Sequence, residues 1–314
     1  MRRPERRESL RILVTGSSGV VGRALRPALE KSGHIVEPFD LRTPDGRSST
    51  ASKSRDVRRL AALETAVRNI DGVVHLAAIS RGAVAEADPA SARSVNIDGT
   101  RTLLDAIGRR SSPPWLVFAS SREVYGDAEW LPVPERHPLR PKGIYGKTKL
   151  EGERLVGRWV TSAHRRGLIL RLTNLYGDPN DYAERVVPAF VSAARQGLPL
   201  HVRGPDVRLD LLHLEDAVSA ILAAIQRMTS GAPGIDTINV ASGRGIRLNE
   251  LAKKIVSLTH SKSAVLEETP VPWTANDFVS DNARARELMG WRPEIALDDG
   301  LRTLVGRYRR IDGT

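Results

Sequence analysis

Short apolar runs alternate with longer amphipathic stretches through the first half of the chain. RILVT at 11–15 is an aliphatic, β-branched run, GSSGVVG follows at once, and an amphipathic segment then runs from Arg23 to Lys31 before Gly33. That order predicts a strand, a glycine turn and a helix. A second strand, HIVEPFD at 34–40, follows. Beyond it the pattern predicts a helix over Leu60–Arg68, a buried strand GVVHLAA at 72–78, a helix over Ser91–Arg109 and a buried strand WLVFAS at 115–120. GIYGKTKLEGE at 143–153 reads as the opening turns of a further helix. Strands that are continuously apolar belong to a parallel sheet covered on both faces, so the expected class is α/β, a doubly wound Rossmann-type sheet. Ligands of such sheets bind beyond the carboxyl ends of the strands, where Ser120 and Ser121 lie. Residues 1–174 are expected to form mainly the cofactor domain. Residues 175–314 are expected to form mainly a smaller substrate lobe, with segments returning to the first domain.

The glycine turn carries the first chemistry. Gly16, Gly19 and Gly22 open a helix whose first amides can receive a pyrophosphate, and Ser18, Val20 and Val21 complete that turn. Gly16 permits the tight turn, Gly19 lets backbone approach phosphate, and Gly22 allows the helix to pack on the strand. Asp40 closes the second strand about 20 residues on, where an acid accepts hydrogen bonds from ribose hydroxyls and repels the extra phosphate of NADP. Asp40 therefore argues for NAD, and Arg42, two residues later, argues the other way. A plain turn residue before TPDG is the alternative for Asp40.

Composition excludes more than it identifies. The chain of 314 residues has 40% hydrophobic and 27% charged residues, enough for one large domain or a domain plus a lobe. No apolar run approaches the roughly 18–20 residues of a membrane span, and MRRPERRESL is followed only by a short apolar run, so neither anchor nor signal peptide is expected and the cytoplasm is the default location. Without cysteine there is no disulfide, thiol nucleophile or thiolate metal site. The net charge of +11 is dispersed, with modest clusters at residues 2–11 and at Arg307, Arg309 and Arg310, which disfavours a nucleic-acid surface and suits a small anionic substrate. His75 stands alone in an apolar strand and lacks partners at metal spacing, so no metal is assigned.

GSSGVVG at 16–22, HLAA at 75–78, Asn96 in VNIDGT, SSREVYG at 120–126, YGKTK at 145–149, RLTNLYG at 171–177 and NVASG at 239–243 stand in an order that resembles the extended short-chain dehydrogenase/reductase family. The likeness runs on through DNARARELMGWRP at 281–293, and it is to the NAD-dependent sugar-nucleotide epimerases and dehydratases of that family. The resemblance implies that Tyr145 is the general acid/base, that Lys149 lowers its pKa and binds the nicotinamide ribose, and that Ser121 hydrogen-bonds the reacting hydroxyl. Tyr145 and Lys149 lie four residues apart, on one helical face, and an ammonium there favours the phenolate of a group whose ordinary pKa is about 10. Ser120 competes with Ser121 for the hydroxyl, and the spacing to VYG favours Ser121. The same likeness places Leu76, Ala77 and Ala78 beside the cofactor, Asp56 and Val57 at the adenine, and Asn96 in a mainly structural role. Capping a helix is the alternative for Asp56. It also implies a homodimer through the helices of 91–109 and 145–164. Leu103, Leu104, Ile107, Leu150, Leu155 and Trp159 offer more apolar surface than one sheet contact needs, so that some serve the core and the rest are left for this interface.

For the substrate, the resemblance assigns Asn174 to a nucleotide-sugar phosphate and the segment of 186–204, Val187 included, to the nucleotide. DLLHLED at 210–216 matches the family pattern, but the arginine expected at 209 is Leu209, with Arg208 one place earlier. A shift of one residue in a strand turns a side chain to the opposite face, so Arg208 is a phosphate ligand only if the strand presents it there. No second clamping arginine is evident in PWTANDFVSDNARA. Dehydratases of this group carry an Asp-Glu pair after the hydroxyl residue, whereas this chain has Arg122 and Glu123. The expected function is an NAD-dependent nucleotide-sugar epimerase working through a transient keto sugar. The alternatives are an NAD(P)-dependent sugar dehydrogenase or ketoreductase, and less favoured, a dehydratase or a non-catalytic NAD-binding regulator.

Overall fold

A computed structural model describes residues 9–43, 55–231, 234–269 and 277–311. The basic residues before Ser9, most of the TPDG turn and the PWTAN half of the 272–285 segment lie outside the described residues. Strand β1 (Arg11–Thr15), helix α1 (Val20–Lys31), β2 (Ile35–Phe39), α2 (Leu60–Ala66) and β3 (Gly72–His75) come first. Helices α3 (Gly82–Ala87), α4 (Pro89–Arg93) and α5 (Gly99–Gly108), strand β4 (Trp115–Ser121), helix α6 (Ile144–Thr161) and strand β5 (Arg166–Leu172) follow. The remainder is β6 (Asn174–Tyr176), α7 (Val186–Arg195), β7 (Leu200–Arg203), β8 (Arg208–His213), α8 (Leu214–Thr229), β9 (Gly234–Val240), β10 (Gly245–Arg247), α9 (Leu248–Leu258), β11 (Val265–Glu268), α10 (Ala283–Met289) and α11 (Leu297–Ile311).

The main sheet has the order β2-β1-β3-β4-β5-β9, and β1 pairs in parallel with both β2 and β3. The direction of winding therefore reverses between β1 and β3, the crevice where doubly wound sheets bind ligands. Register explains why the strands are apolar throughout. Leu13, Val73 and Leu116 are cross-strand partners that face one core, with Leu63, Leu103, Ile107 and Val156, while Ile12, Val14 and Val74 point the other way and are also fully buried. Each such side chain taken out of water is worth about 1.5–3 kcal/mol. Pro38 lies in β2, an edge strand, where its missing amide costs no ladder bond on the open side.

Three boundaries differ from the sequence expectation for physical reasons. Helix α1 starts at Val20 rather than Arg23 because Gly19 is its extended N-cap. The strand expected to reach Ala78 ends at His75, where the chain turns off the sheet. The helix expected over 91–109 is broken into α4, a π-helical turn at Ser94–Asp98, and α5.

The chain divides into two compact units. The first takes the chain to Gly126, then Leu139–Arg171 and Ile221–Ile238; the second takes Asp127–Pro138, Leu172–Ala220 and the chain from Asn239 onward. In the second unit β10 and β6 flank β8, antiparallel and parallel respectively, and β11 pairs with β7. Its core gathers Tyr176, Phe190, Val191, Leu251, Ile255 and Leu301.

The apolar residues expected to form a dimer surface are committed elsewhere. Leu103, Leu104, Ile107 and Trp159 are buried in the first unit's own core, Leu155 packs against it, and Leu150 is buried too. The outward positions of α5 and α6 are charged, with Arg101 paired to Asp98, and Arg154 and Arg158 paired to Glu151. No described helix is long and apolar enough to cross a membrane.

Candidate active site

The β1–α1 turn is built on close backbone approach. Gly16 has φ +70, and a Cβ there would stand 2.6 Å from the Ala77 nitrogen; one at Gly22 would stand 2.4 Å from the Gly16 carbonyl oxygen. The Gly16 turn thus rests directly on Leu76 and Ala77, and α1 rests on the turn. Helix α1 has neither a side-chain cap nor an acid in its first turn, so the amides of Val20, Val21 and Gly22 have no intrahelical acceptor and are presented to a ligand. This is a cradle for a phosphate group, and the residues fit a dinucleotide.

Asp40 ties that cradle to β2. One carboxylate oxygen accepts from the Ser18 amide at 2.9 Å and the other from the Arg42 amide at 2.9 Å. Each oxygen keeps a further lone pair for ribose hydroxyls. The Ser18 hydroxyl donates to the Arg42 carbonyl, so Arg42 is held by its backbone. Asp56 is not a helix cap, since α2 is capped from Arg59. Its buried carboxylate accepts from the amide and guanidinium of Arg58, chiefly for which reason its pKa is lowered despite burial. The Val57 side chain, expected at the adenine, is buried and stands 2.7 Å from where a Gly99 Cβ would lie.

His75 ties the ends of the strands together. Thr100 donates its hydroxyl to the Asn96 carbonyl, so it must accept from His75 Nε2 at 3.0 Å, and His75 Nδ1 then accepts from the Thr15 hydroxyl at 2.6 Å. Burial, and secondarily the charge of Lys149, push the His75 pKa down to about 3. Asn96, at the centre of the π-helical turn, donates to the Ile79 carbonyl and the Thr148 hydroxyl and accepts from the Ile79 amide. Thr148 in turn donates to the Tyr145 carbonyl. The break in the helix over 91–109 is what lets Asn96 hold the loop after β3 against the helix that carries Tyr145.

Helix α6 meets β4 and the turn that follows it through two glycines. A Cβ at Gly146 would stand 2.5 Å from the Glu123 carbonyl oxygen, and one at Gly152 would stand 2.6 Å from the Phe118 ring. The first of these lies between Tyr145 and Lys149, and it is the contact that brings their helix onto the turn after Ser121. Tyr145 is half-buried and Lys149 is 4% exposed. Lys149 donates to the Ala119 carbonyl at 2.7 Å and lies 4.9 Å from the centre of the Phe118 ring. Burial lowers its pKa to about 8, and Glu153 opposes that shift.

The two serines are both buried but differ in their partners. Ser120 donates to Glu153, whereas the Ser121 hydroxyl accepts from the Glu123 amide at 3.2 Å and keeps its own proton to donate. Glu153 was invisible as a functional residue in the sequence, although it stands at the third place of a Tyr145, Lys149, Glu153 face with four-residue spacing. Arg171 of RLTNLYG clamps it, Nε to Oε1 at 2.9 Å and Nη2 to Oε2 at 2.7 Å, and donates from Nη1 to the Tyr125 hydroxyl at 3.0 Å. Arg122 and Glu123, in the place of the dehydratase pair, form an ion pair at 2.7 Å.

The first unit thus holds a glycine turn at the start of α1, an acid just after β2, Ser121 at the end of β4 and Tyr145 and Lys149 on α6. Residues 12–241 match the family described as NAD dependent epimerase/dehydratase. The chain belongs to that family. It is therefore an enzyme of a family whose cofactor is NAD and whose members include sugar-nucleotide epimerases, reductases and dehydratases. It is 27% identical over 310 residues to a UDP-glucose 4-epimerase of Streptomyces lividans, covering 90% of this chain and 92% of that one. It is likewise 27% identical over 313 residues to a GDP-6-deoxy-D-mannose reductase of Pseudomonas aeruginosa, covering 95% and 97%. The solved structure of MoeE5 in complex with UDP-glucuronic acid and NAD matches with a TM-score of 0.84 and 26% identity, covering 96% of this chain and 99% of that one.

In the second unit, Asn174 donates to the Asp210 carbonyl at 3.4 Å and is half-buried. Val187, expected at the nucleotide, is 2% exposed and belongs to that unit's core, because the first turn of α7 faces inward. Arg208 is exposed and engaged by Asp277, which accepts from its Nε at 3.0 Å, its Nη2 at 2.7 Å and its amide at 2.7 Å. Arg208 is the exposed first residue of β8, and every residue after it in the strand, Leu209 included, is buried.

Proposed function

We propose that this enzyme is an NAD-dependent epimerase of a nucleotide sugar, acting by transient oxidation of a ring carbon. The observation that supports it is the close approach of α6, at Gly146, to the turn that follows Ser121, with Ser121 on the strand end and Tyr145 and Lys149 on the helix. The β1–α1 amides would hold the pyrophosphate and Asp40 the ribose. NAD, when bound, supplies the hydride acceptor. Ser121 orients the reacting hydroxyl and Tyr145 takes its proton, returning it when the sugar is reduced on its other face. Lys149 stabilises the phenolate.

Dehydration is disfavoured because it needs one group to protonate the leaving oxygen and another to take a proton. Glu123 is tied to Arg122, a cation where the acid of the pair would be. A ketoreductase is the second reading, supported by the equal identity to the Pseudomonas aeruginosa reductase. For the epimerase, the substrate lobe contributes Asn174, while Arg208 keeps only Nη1 clear of Asp277 as a candidate phosphate donor. A panel of UDP-, dTDP- and GDP-sugars, incubated without added cofactor and followed by NMR, tests the choice. The expected result is an equilibrium mixture of two epimers. Turnover only with stoichiometric reduced nicotinamide would establish the reductase instead.

A further inference from the structure

Burying an ammonium costs several kcal/mol unless an anion stands against it, and Lys149 is 4% exposed. Three elements besides its own supply its surroundings. Strand β4 offers the Ala119 carbonyl and the Phe118 ring, β3 offers neutral His75, and β5 offers Arg171 behind Glu153; on α6 itself Tyr145 and Glu153 lie one helical step away on either side. The anion in this set is Glu153. It is buried at 6% exposure, and its two oxygens are occupied by Arg171 and Ser120, so it cannot swing toward solvent. Arg171 is itself held from behind by the Tyr125 hydroxyl and lies 4.8 Å from the centre of that ring.

We propose that Glu153 is a positioning residue, the clamped counter-ion that keeps Lys149 charged in a buried site and so keeps it available to Tyr145. Three features of the cluster follow from that role. Ser120 is spent on Glu153, which leaves Ser121 alone to meet substrate. The bidentate guanidinium fixes where the negative charge lies, so the ammonium is attracted along the helix face and not away from it. The cluster of Lys149, Glu153 and Arg171 carries one net positive charge, which favours a phenolate at Tyr145. The inference rests on the reading of Lys149 as part of the catalytic set, and its test is chosen to separate the two.

The experiment titrates Lys149 directly, without substrate, in full-length cofactor-free protein labelled at lysine ε-carbons. The resonance is identified by its loss in Lys149→Arg. The wild-type midpoint is expected near 8. Glu153→Gln should lower it by about one pH unit or more, and Glu153→Asp should recover part of the shift. Should Glu153→Gln fail to fold, the paired variant Glu153→Met with Arg171→Met removes both charges at near-constant volume, a change that buried pairs commonly tolerate. In it the Lys149 midpoint should lie below that of Arg171→Met alone, which keeps the Glu153 charge. A midpoint unchanged by the loss of Glu153, against wild type for the single variant or against Arg171→Met for the double, would overturn the proposal. A lowered midpoint with an unmoved alkaline limb of kcat would uphold the hold of Glu153 on Lys149 and remove Lys149 from the catalytic reading.

Discussion

Tyr145 occupies the first turn of α6, and its hydroxyl is all that Tyr145→Phe removes. Deleting a positioned acid/base costs about 100-fold or more in turnover, while the helix, held by Gly146 against Glu123 and by Thr148, has no reason to move. The expected outcome is kcat reduced by at least that factor, with NAD affinity and melting temperature retained; near-normal kcat would take Tyr145 out of the proton transfer. His75 yields a second prediction, on stability. Its pKa is about 3 in the fold against an ordinary 6.5, so between those values the unfolded chain binds a proton that the native chain refuses. Stability therefore rises with pH across that window and is lost as pH falls through it. From pH 7 to pH 5 the loss from this group is about 2 kcal/mol. Urea unfolding at the two pH values should show a smaller difference in His75→Gln than in wild type; equal differences would mean that other groups govern the acid side.

The β1–α1 turn is the element whose sequence reading and structure agree most closely, because everything it needs is local. Gly16 must adopt φ +70 and Gly22 must admit the turn's own backbone, demands that glycine alone meets and that spacing therefore reveals. Gly22→Ala would set a methyl against the Gly16 carbonyl and the Ser17 backbone, none of which is a flexible side-chain end. Calorimetry should show NAD affinity down by about tenfold or more, since the amides of α1 are displaced with the turn; an unchanged affinity would show that the turn relaxes freely. The face of α6 was only half legible for the opposite reason. Tyr145 and Lys149 announce themselves by spacing and by family pattern, but Glu153 acquires meaning only from Ser120 and Arg171, which reach it across 33 and 18 residues of chain. The break at Ser94–Asp98 was equally hidden, since the apolar periodicity of a π-helical turn barely departs from that of the helix around it. Leu103, Ile107 and Trp159 show the remaining limit, because a periodic apolar stripe does not say whether its partner is the same chain or another, and here it is the same chain.

At the scale of the whole molecule two electrostatic effects oppose each other in the choice of cofactor. The net charge of +11 attracts NADP more than NAD, since NADP carries the additional phosphate. That charge is dispersed, and ionic screening limits its reach to about 8–10 Å at physiological salt. Asp40 acts at contact range: two like charges about 4 Å apart at a protein surface repel by about 4 kcal/mol. Its carboxylate is moreover fixed by the Ser18 and Arg42 amides, so it cannot rotate away from a 2'-phosphate, and Arg42 is held through its backbone at the same turn. The local term should win. Thermal melts with saturating cofactor are expected to show a rise of several degrees with NAD and a much smaller one with NADP, because stabilisation follows the ratio of concentration to Kd. Raising salt should weaken both while leaving their order unchanged, as the deciding contact lies within the screening length. Equal shifts, or an order that reverses with salt, would mean that the dispersed positive charge, with Arg42 within it, outweighs Asp40.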